Sequence, residues 1–170
     1  MPEPEFPSPT PPGEARQIGE AWINFSTLET ARLALRVFQA PDAGPLHSLI
    51  NDWRVCRTLA GVEYPYGLDR AEAWIVETGS QLAAGTGCHV AITGRENGAE
   101  MLLGGVGIRL DRARREGRLG YWVGARFWGH GVATEAAGRM ARWAMANLEL
   151  DRLSATVAVD NPASIAVLRR

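Results

Sequence analysis

A loop with two glycines, between a strand-like and a helix-like segment, constrains this chain more than any other feature. The loop is Arg126–Gly131, with the apolar run 119–124 before it and the helix-like run 132–144 after it. Such a loop leaves backbone N–H groups without internal partners, and the dipole of the following helix adds positive potential at the same place. The sequence therefore predicts a phosphate-binding site formed by backbone amides. The amides concerned are those of Gly129, Gly131, Val132 and Ala133.

Hydrophobic periodicity in the rest of the chain predicts an α/β fold. Apolar runs indicate strands at 33–38, 88–93, 101–110, 119–124 and 153–159. Helical spacing indicates helices from Asp42 to Trp53, from Asp69 to Gly85, from the glycine loop to about Asn147, and from Asp160 onward. The three middle strands have short connections and are predicted to form an antiparallel meander, whereas the strands on either side of the glycine-loop helix are predicted to run parallel. The predicted fold is a mixed, mostly antiparallel central sheet with one parallel crossover at the loop.

Three helix starts carry side-chain capping signals. Asp42 is placed to cap the first helix, and Asp69 with Glu72 three residues later matches a capping box at the second. Asn161 precedes Pro162, and this pair suits the cap and first turn of the last helix. We therefore expect all four helices to begin close to these positions or to the glycine loop.

Composition excludes several classes of function. The formal net charge of -1 gives no support for binding to nucleic acid or to a membrane surface. No apolar run approaches the ~18 residues of a membrane span. Cys56 and Cys88 lack metal-ligand spacing, so reduced thiols and a cytoplasmic location are expected. The three histidines lie far apart in the sequence, and no metal site is predicted.

The beginning of the chain differs from the rest. Six of the 10 prolines lie before Gly13. Proline at this density is incompatible with a helix or the interior of a sheet, so residues 1–27 are predicted to be a disordered, proline-rich extension. The folded domain is expected to span 28–170.

The P-loop and the dinucleotide-binding loop are two other kinds of phosphate-binding loop with which this glycine loop can be compared. A P-loop ends in Gly-Lys-Ser/Thr, which this chain lacks. A dinucleotide-binding loop has a third glycine or alanine where Thr134 stands, and it normally opens a fold that supplies a second nucleotide-binding half. The remainder of the chain after Thr134 is too short for that half, so the position of the loop disfavours a dinucleotide fold.

The loop and its flanks resemble a known family. Arg126-x-x-Gly129-x-Gly131, followed by Ala-Thr-Glu-Ala, resembles the acetyl-coenzyme A loop of the GNAT superfamily of N-acetyltransferases. The segments 28–33, 71–75, 120–124 and 159–164 are similar to the Rim-type branch, the ribosomal-protein N-terminal acetyltransferases and their relatives. The resemblance covers about residues 28–170.

The resemblance implies that acetyl-CoA is the cosubstrate and assigns further contacts to it. The backbone of Trp122 and Val123 is expected to pair with the pantetheine arm where two central strands splay apart, and the Val123 N–H to stabilise an oxyanion. Asn161 resembles the coenzyme-contacting asparagine of the family, with helix capping as a compatible role. Arg126 and His130 are expected near the phosphates, with a solvated or ion-paired arginine as the alternative for Arg126.

The resemblance also places a catalytic hydroxyl. Ser164 occupies the position at which a serine of the Rim-type branch is thought to protonate the departing thiolate, and a surface hydroxyl is the alternative. The general base is not evident from the sequence. Glu63 in the loop before the second helix is the candidate base, and Glu135 acting through water is another.

Together these expectations predict an N-acetyltransferase, which transfers acetyl to a primary amine by direct attack in a ternary complex. The acceptor is a protein N-terminal α-amino group or the amine of a small molecule. The family continues past its last helix with Leu-Gly-Phe and two closing strands, so a chain ending at Arg170 is expected to be C-terminally incomplete. The alternative function is an inactive CoA-binding or interaction module. The oligomeric state stays open, with a homodimer among the alternatives.

Overall fold

The computed structural model describes residues 25–96 and 98–169, and its central feature is a sheet of six strands that lie side by side in chain order. The strands are β1 (Leu28–Glu29), β2 (Ala34–Val37), β3 (Gly87–Glu96), β4 (Ala99–Asp111), β5 (Glu116–Val123) and β6 (Arg152–Ala155). Neighbouring strands are antiparallel except β5 and β6, which are parallel. The predicted mixed sheet and its central meander are confirmed.

Helices cover both faces of the sheet. They are α1 (Ala43–Ile50), α2 (Trp53–Cys56), α3 (Leu68–Ala84), α4 (Val132–Asn147) and α5 (Pro162–Leu168). One buried cluster joins α4 to β2, β3, β4 and β5, and a second joins α1 and α3 to the opposite face. Successive residues of a strand point to opposite faces. Val123 therefore packs in the α4 cluster, whereas Trp122 packs against the α1 and α3 cluster.

The first described residue already belongs to the packed domain. The ring of Phe25 lies edge-to-face against Trp143 of α4, with ring centroids 5.0 Å apart. Residues 1–24 lie outside the described part of the chain, so the disorder predicted for the proline-rich segment stays a prediction.

Two predicted elements are shorter than the sequence pattern indicated. The strand predicted over 153–159 ends at Ala155, because the chain beyond it leaves the edge of β5. The helix predicted to run from Asp42 through Trp53 ends at Ile50. Trp53 instead begins the separate short helix α2, and its side chain is 58% exposed. Apolar spacing alone therefore overestimated both elements.

The two aspartate caps predicted for α1 and α3 are wrong. Asp42 makes no cap hydrogen bond to α1; its carboxylate accepts from the backbone N–H of Gln39 and pairs with Arg36. Helix α3 begins at Leu68 after Gly67, without a side-chain cap, so Asp69 lies inside the first turn. The predicted end of α3 at Gly85 is confirmed, since that glycine adopts φ +63.

An ion pair joins the start of α1 to the sheet. Arg36 on β2 donates two hydrogen bonds to the carboxylate of Asp42, at 2.8 and 2.9 Å, and a third to Glu100 on β4 at 2.9 Å. The side chains of Arg36 and Asp42 are 17% and 9% exposed. Burial alone would raise the pKa of Asp42, but the hydrogen bonds from Arg36 and from the Gln39 N–H outweigh it and lower the pKa below its usual value.

We predict that Asp42→Asn lowers the free energy of unfolding by about 3 kcal/mol at neutral pH, because it removes the buried charge partner of Arg36 and leaves only the half-exposed Glu100. A carboxyl whose folded pKa is depressed stabilises the fold above its unfolded pKa of ~3.9, and this contribution is lost as pH falls through the folded pKa. Urea unfolding of the two proteins should therefore converge under acidic conditions. Asp52→Asn, which breaks the exposed pair with Arg54, is the control and should change stability much less. Equal effects of the two substitutions would contradict the prediction.

Candidate active site

A cleft opens where β5 and β6 part. The two strands pair from Glu116 and Arg152 as far as Leu119 and Ala155, and β5 then continues to Val123 without β6 beside it. The resulting cleft has a volume of about 590 Å³. Its walls are the end of β5, the glycine loop with the first turn of α4, the segment after β6, and α5. The predicted splay of the two parallel strands is therefore present in the structure.

The register of β4 and β5 decides which peptide groups of β5 face this cleft. Val123 lies opposite Gly104, and the Gly124 N–H donates to the carbonyl of Leu103 at 2.9 Å. This pattern makes Val123 and Gly104 a non-hydrogen-bonded pair, so the N–H and C=O of Val123 point away from β4 and toward the cleft. The same alternation directs the peptide groups of Tyr121 toward the cleft.

The expectation that the backbone of Trp122 binds a ligand is corrected by this register. Its peptide groups face β4, and its carbonyl oxygen lies where a Cβ on Gly104 would be. Trp122 still lines the cleft, as do Val123 and Tyr121. The cleft-directed backbone groups at the end of β5 are therefore those of Tyr121 and Val123.

One of those groups already has a side-chain partner. The indole Nε1–H of Trp128 donates to the carbonyl oxygen of Val123 at 2.6 Å. Trp128 lines the cleft and is 45% exposed. The carbonyl keeps a second lone pair and the N–H of Val123 faces the cleft, so both groups can bind a ligand.

The glycine loop presents a row of free amides beside the same strand end. Gly129 and Gly131 adopt φ +79 and +77, a region that side chains other than glycine rarely adopt. Helix α4 begins directly after Gly131, and no side chain caps its N-terminus. The first backbone hydrogen bond of the helix runs from the Glu135 N–H to the Gly131 carbonyl at 3.0 Å. The N–H groups of the intervening first turn therefore lack helical partners, as predicted for a phosphate-binding loop. Gly129, Gly131, Val132 and Ala133 all line the cleft.

An ion pair from the first strands holds this loop in place. Arg32 donates to the Glu135 carboxylate at 2.6 and 2.9 Å and to the carbonyl of His130 at 3.1 Å. Thr30 donates to the other carboxylate oxygen of Glu135 at 2.6 Å. Residues about a hundred positions apart in the sequence are thus joined at the N-terminus of α4. The loop is fixed from its outer side while its amides face the cleft.

Neither carboxylate predicted as a general base lies free in the cleft. Burial alone would raise the pKa of Glu135, but the hydrogen bonds from Thr30 and Arg32 outweigh it and lower the pKa, so this carboxylate is a weak base. Glu63 has 88% of its side chain exposed, lies 3.8 Å from Arg70 and is not part of the cleft wall. Asp160 is the one carboxylate among the described residues that line the cleft.

The structure brings neither predicted basic side chain into the cleft. The guanidinium of Arg126 lies 4.5 Å from the ring centroid of Phe127, and its Nη2 is 3.3 Å from Sδ of Met101. His130 is exposed and contributes its carbonyl to Arg32. Neither residue lines the cleft, and the phosphate contacts expected for Arg126 and His130 stay predictions.

The opposite wall carries a pair of hydroxyl groups. Oδ1 of Asn161 accepts from the N–H of Ser164 at 3.0 Å and so caps α5, as predicted. Oγ of Ser164 lies 2.7 Å from the hydroxyl of Tyr121, which also donates to the Ser164 carbonyl at 3.1 Å. Burial raises the pKa of Tyr121, partly offset by the hydrogen bond with Ser164. The sequence analysis missed Tyr121, whose one signal was its place two residues before Val123 on the same face of the strand.

Within 25–96 and 98–169, no group of three or more His, Cys, Asp or Glu side chains is arranged to hold a metal ion. No helix in this part of the chain is both long and apolar enough to cross a membrane.

Comparison with known proteins identifies a family from the sequence and a shared fold from the structure. A family model described as an acetyltransferase (GNAT) domain matches residues 32–170. YdaF of Bacillus subtilis, which carries the provisional name ribosomal N-acetyltransferase, is 29% identical over 150 residues, covering 86% of this chain and 80% of YdaF.

Two solved structures share the fold. The microcin self-immunity acetyltransferase MccE, in complex with acetyl-CoA and AMP, superposes with a TM-score of 0.73 at 20% identity, covering 82% of this chain and 77% of MccE. The ribosomal-protein α-N-acetyltransferase RimL, in complex with coenzyme A, gives a TM-score of 0.74 at 19% identity, with coverage of 85% and 82%. The fold predicted from the resemblance is confirmed.

We predict that Glu135→Gln loosens the glycine loop without unfolding the domain. The substitution removes the charge that Arg32 and Thr30 hold, and because Arg32 is 56% exposed the global stability should fall by less than about 1 kcal/mol. Amide hydrogen exchange should quicken several-fold at the first hydrogen-bonded amides of α4, which begin at residue 135. Glu116→Gln is the matched control, since Glu116 pairs with Arg152 at 2.6 Å and accepts from Ser154 at 2.7 Å, away from the loop. Unchanged exchange at these amides in the Glu135 variant would refute the role of the ion pair.

Proposed function

The chain belongs to the acetyltransferase (GNAT) domain family, and we propose that it transfers the acetyl group of acetyl-CoA to a primary amine by direct attack within a ternary complex. The observation that carries the proposal is the cleft at the end of β5, where an unpaired strand edge meets the free amides of the α4 N-terminus. A ligand that fits both features needs a negatively charged diphosphate and an extended arm with amide groups. Acetyl-CoA has both.

The diphosphate of acetyl-CoA would bind to the backbone amides of the glycine loop. These amides need no side-chain charge, because the N–H groups and the helix dipole together favour an anion. Two relatives of the same fold, MccE and RimL, were crystallised with acetyl-CoA and with coenzyme A. The loop amides that line the cleft in this chain are those of Gly129, Gly131, Val132 and Ala133.

The amide-bearing arm of acetyl-CoA would extend along the free edge of β5. The N–H of Val123 and the peptide groups of Tyr121 are directed to that side by the register with β4. The Val123 carbonyl accepts from the indole of Trp128 and keeps a second lone pair, with which it would accept from the arm as well. Asn161, at the cap of α5, lines the same cleft and supports the predicted coenzyme contact.

The transfer itself forms a C–N bond and breaks the C–S bond of the thioester. The attacking nitrogen must be neutral, and negative charge develops on the carbonyl oxygen and then on the leaving sulfur. The Val123 N–H is placed to stabilise the oxyanion. Ser164 lies across the cleft and would supply a proton to the thiolate, which makes it the proposed catalytic acid.

We favour an α-amino group as the acceptor. An α-amino group has a pKa of ~7.7–8.0 and is substantially neutral near physiological pH, whereas a lysine amine at ~10.4 requires a stronger base. Neither Glu63 nor Glu135 is placed to act as such a base. The name of YdaF, a ribosomal N-acetyltransferase, agrees with a protein N-terminus as the acceptor.

The acceptor assignment is tested by following coenzyme A release from acetyl-CoA with a panel of amines. Peptides with free N-termini should be turned over, and the same peptides with blocked N-termini and an internal lysine should not. Turnover of polyamines or aminoglycosides alone would replace the peptide acceptor with a small-molecule one. Binding of acetyl-CoA without turnover of any amine would support the inactive coenzyme-binding module instead.

We predict that Gly129→Asp weakens acetyl-CoA binding at least tenfold in a calorimetric titration, which corresponds to about 1.4 kcal/mol. The substitution places a carboxylate beside the diphosphate and a side chain at φ +79, where open space surrounds the Cβ position. Gly61→Asp is the matched control, because Gly61 has φ +75, equal open space and no place in the cleft wall. If both variants lose affinity equally, backbone strain and not the phosphate site is responsible.

A further inference from the structure

From the hydroxyl pair across the cleft we infer that Tyr121 is a positioning residue, which orients Ser164 and replaces the proton that Ser164 gives to the leaving thiolate. The inference rests on the proposed function, since it concerns the same cleft and the same transfer. Nothing in the sequence pattern indicates it. The two residues lie on β5 and α5, 43 positions apart, and only the fold brings their hydroxyl groups to 2.7 Å.

The geometry constrains the hydrogen bonds of Ser164. Its backbone N–H is taken by Asn161, and its carbonyl and Oγ both lie within reach of the one hydroxyl proton of Tyr121. When Tyr121 donates to Oγ, the proton of Ser164 is free to point into the cleft. When Tyr121 donates to the carbonyl, the serine proton is held on the tyrosine oxygen. The tyrosine therefore selects between a serine that can donate to a ligand and one that cannot.

Proton balance explains why the serine needs a partner. The leaving thiolate takes the proton of Ser164 Oγ, and Oγ takes the proton of the Tyr121 hydroxyl. The phenolate formed on Tyr121 is then reprotonated by solvent, which receives the proton lost by the attacking amine. No oxidant or additional co-reactant is required. A phenolate is far less basic than a serine alkoxide, so the relay avoids an alkoxide as the end state.

The surroundings favour a neutral tyrosine before transfer. Half-burial raises the pKa of Tyr121, so its hydroxyl keeps its proton through the neutral range. The charged side chains among the described residues of the cleft wall are Arg57 on the α2 side and Asp160 before α5. Neither is hydrogen-bonded to Tyr121 or Ser164, whose hydroxyl groups are paired with each other.

The test compares Tyr121→Phe, Ser164→Ala and the double variant, with acetyl transfer from acetyl-CoA to a peptide N-terminus and to hydroxylamine as a small nucleophile. General acid catalysis is worth at least about 100-fold, and we expect Tyr121→Phe to lose about tenfold in kcat with KM for acetyl-CoA unchanged. In the Ser164→Ala background, loss of the tyrosine hydroxyl should have no further effect. Tyr66→Phe removes a hydroxyl from a half-buried tyrosine outside the cleft and is the control.

The outcomes separate the inference from the function it rests on. Turnover by the wild type with an unchanged kcat in Tyr121→Phe would overturn the role of the tyrosine and leave the acetyltransferase proposal intact. Equal tenfold losses in both the wild-type and Ser164→Ala backgrounds would likewise refute action through the serine. Absence of turnover by the wild type with every acceptor would overturn the proposed function, and the inference with it. Urea unfolding and the acetyl-CoA dissociation constant of each variant identify a loss that comes from misfolding.

Discussion

The unpaired edge of β5 is the constraint on which the rest of the site depends. A strand that continues past the end of its neighbour leaves peptide groups that need hydrogen-bond partners. Here the partner of the Val123 carbonyl is the indole of Trp128, and the N–H of the same residue faces the cleft. A ligand with amide groups can satisfy this edge as a missing strand would. The edge is open to a ligand because β6 ends at Ala155.

The glycine loop contributes to the site only because its position relative to that edge is fixed. Its free amides follow from two glycines at positive φ and from the start of α4, both of which are local properties. Its distance and orientation relative to β5 depend on Arg32 and Glu135, which join the first strands to the first turn of the helix. A carboxylate near a helix N-terminus is favourable in itself. In this chain it also anchors the loop and is thereby removed from catalysis.

The sequence anticipated the order of the elements and the place of the cleft. Its predictions were wrong at residues that could make either a local contact or a contact with a distant part of the chain. Asp42 is a suitable helix cap, but a buried arginine on β2 offers its carboxylate a stronger partner. The apolar run after residue 152 suits a long strand, but its second half leaves the sheet and forms a wall of the cleft. The family resemblance implied that the backbones of both Trp122 and Val123 bind the ligand. Adjacent residues of a strand point their peptide groups to opposite sides, so both cannot face one ligand.

By itself the sequence determined the periodic and local features: strand and helix types, the antiparallel meander, the glycine loop before α4 and the capping of α5 by Asn161. Each of these depends on residues within about one turn or one hairpin of each other, so a linear pattern contains them. The tertiary structure alone decided which face of β5 is free, how Arg32 reaches Glu135, and that Tyr121 meets Ser164. These contacts join distant parts of the chain. Their register is set by the packing of two buried clusters against one sheet, and no local pattern specifies it.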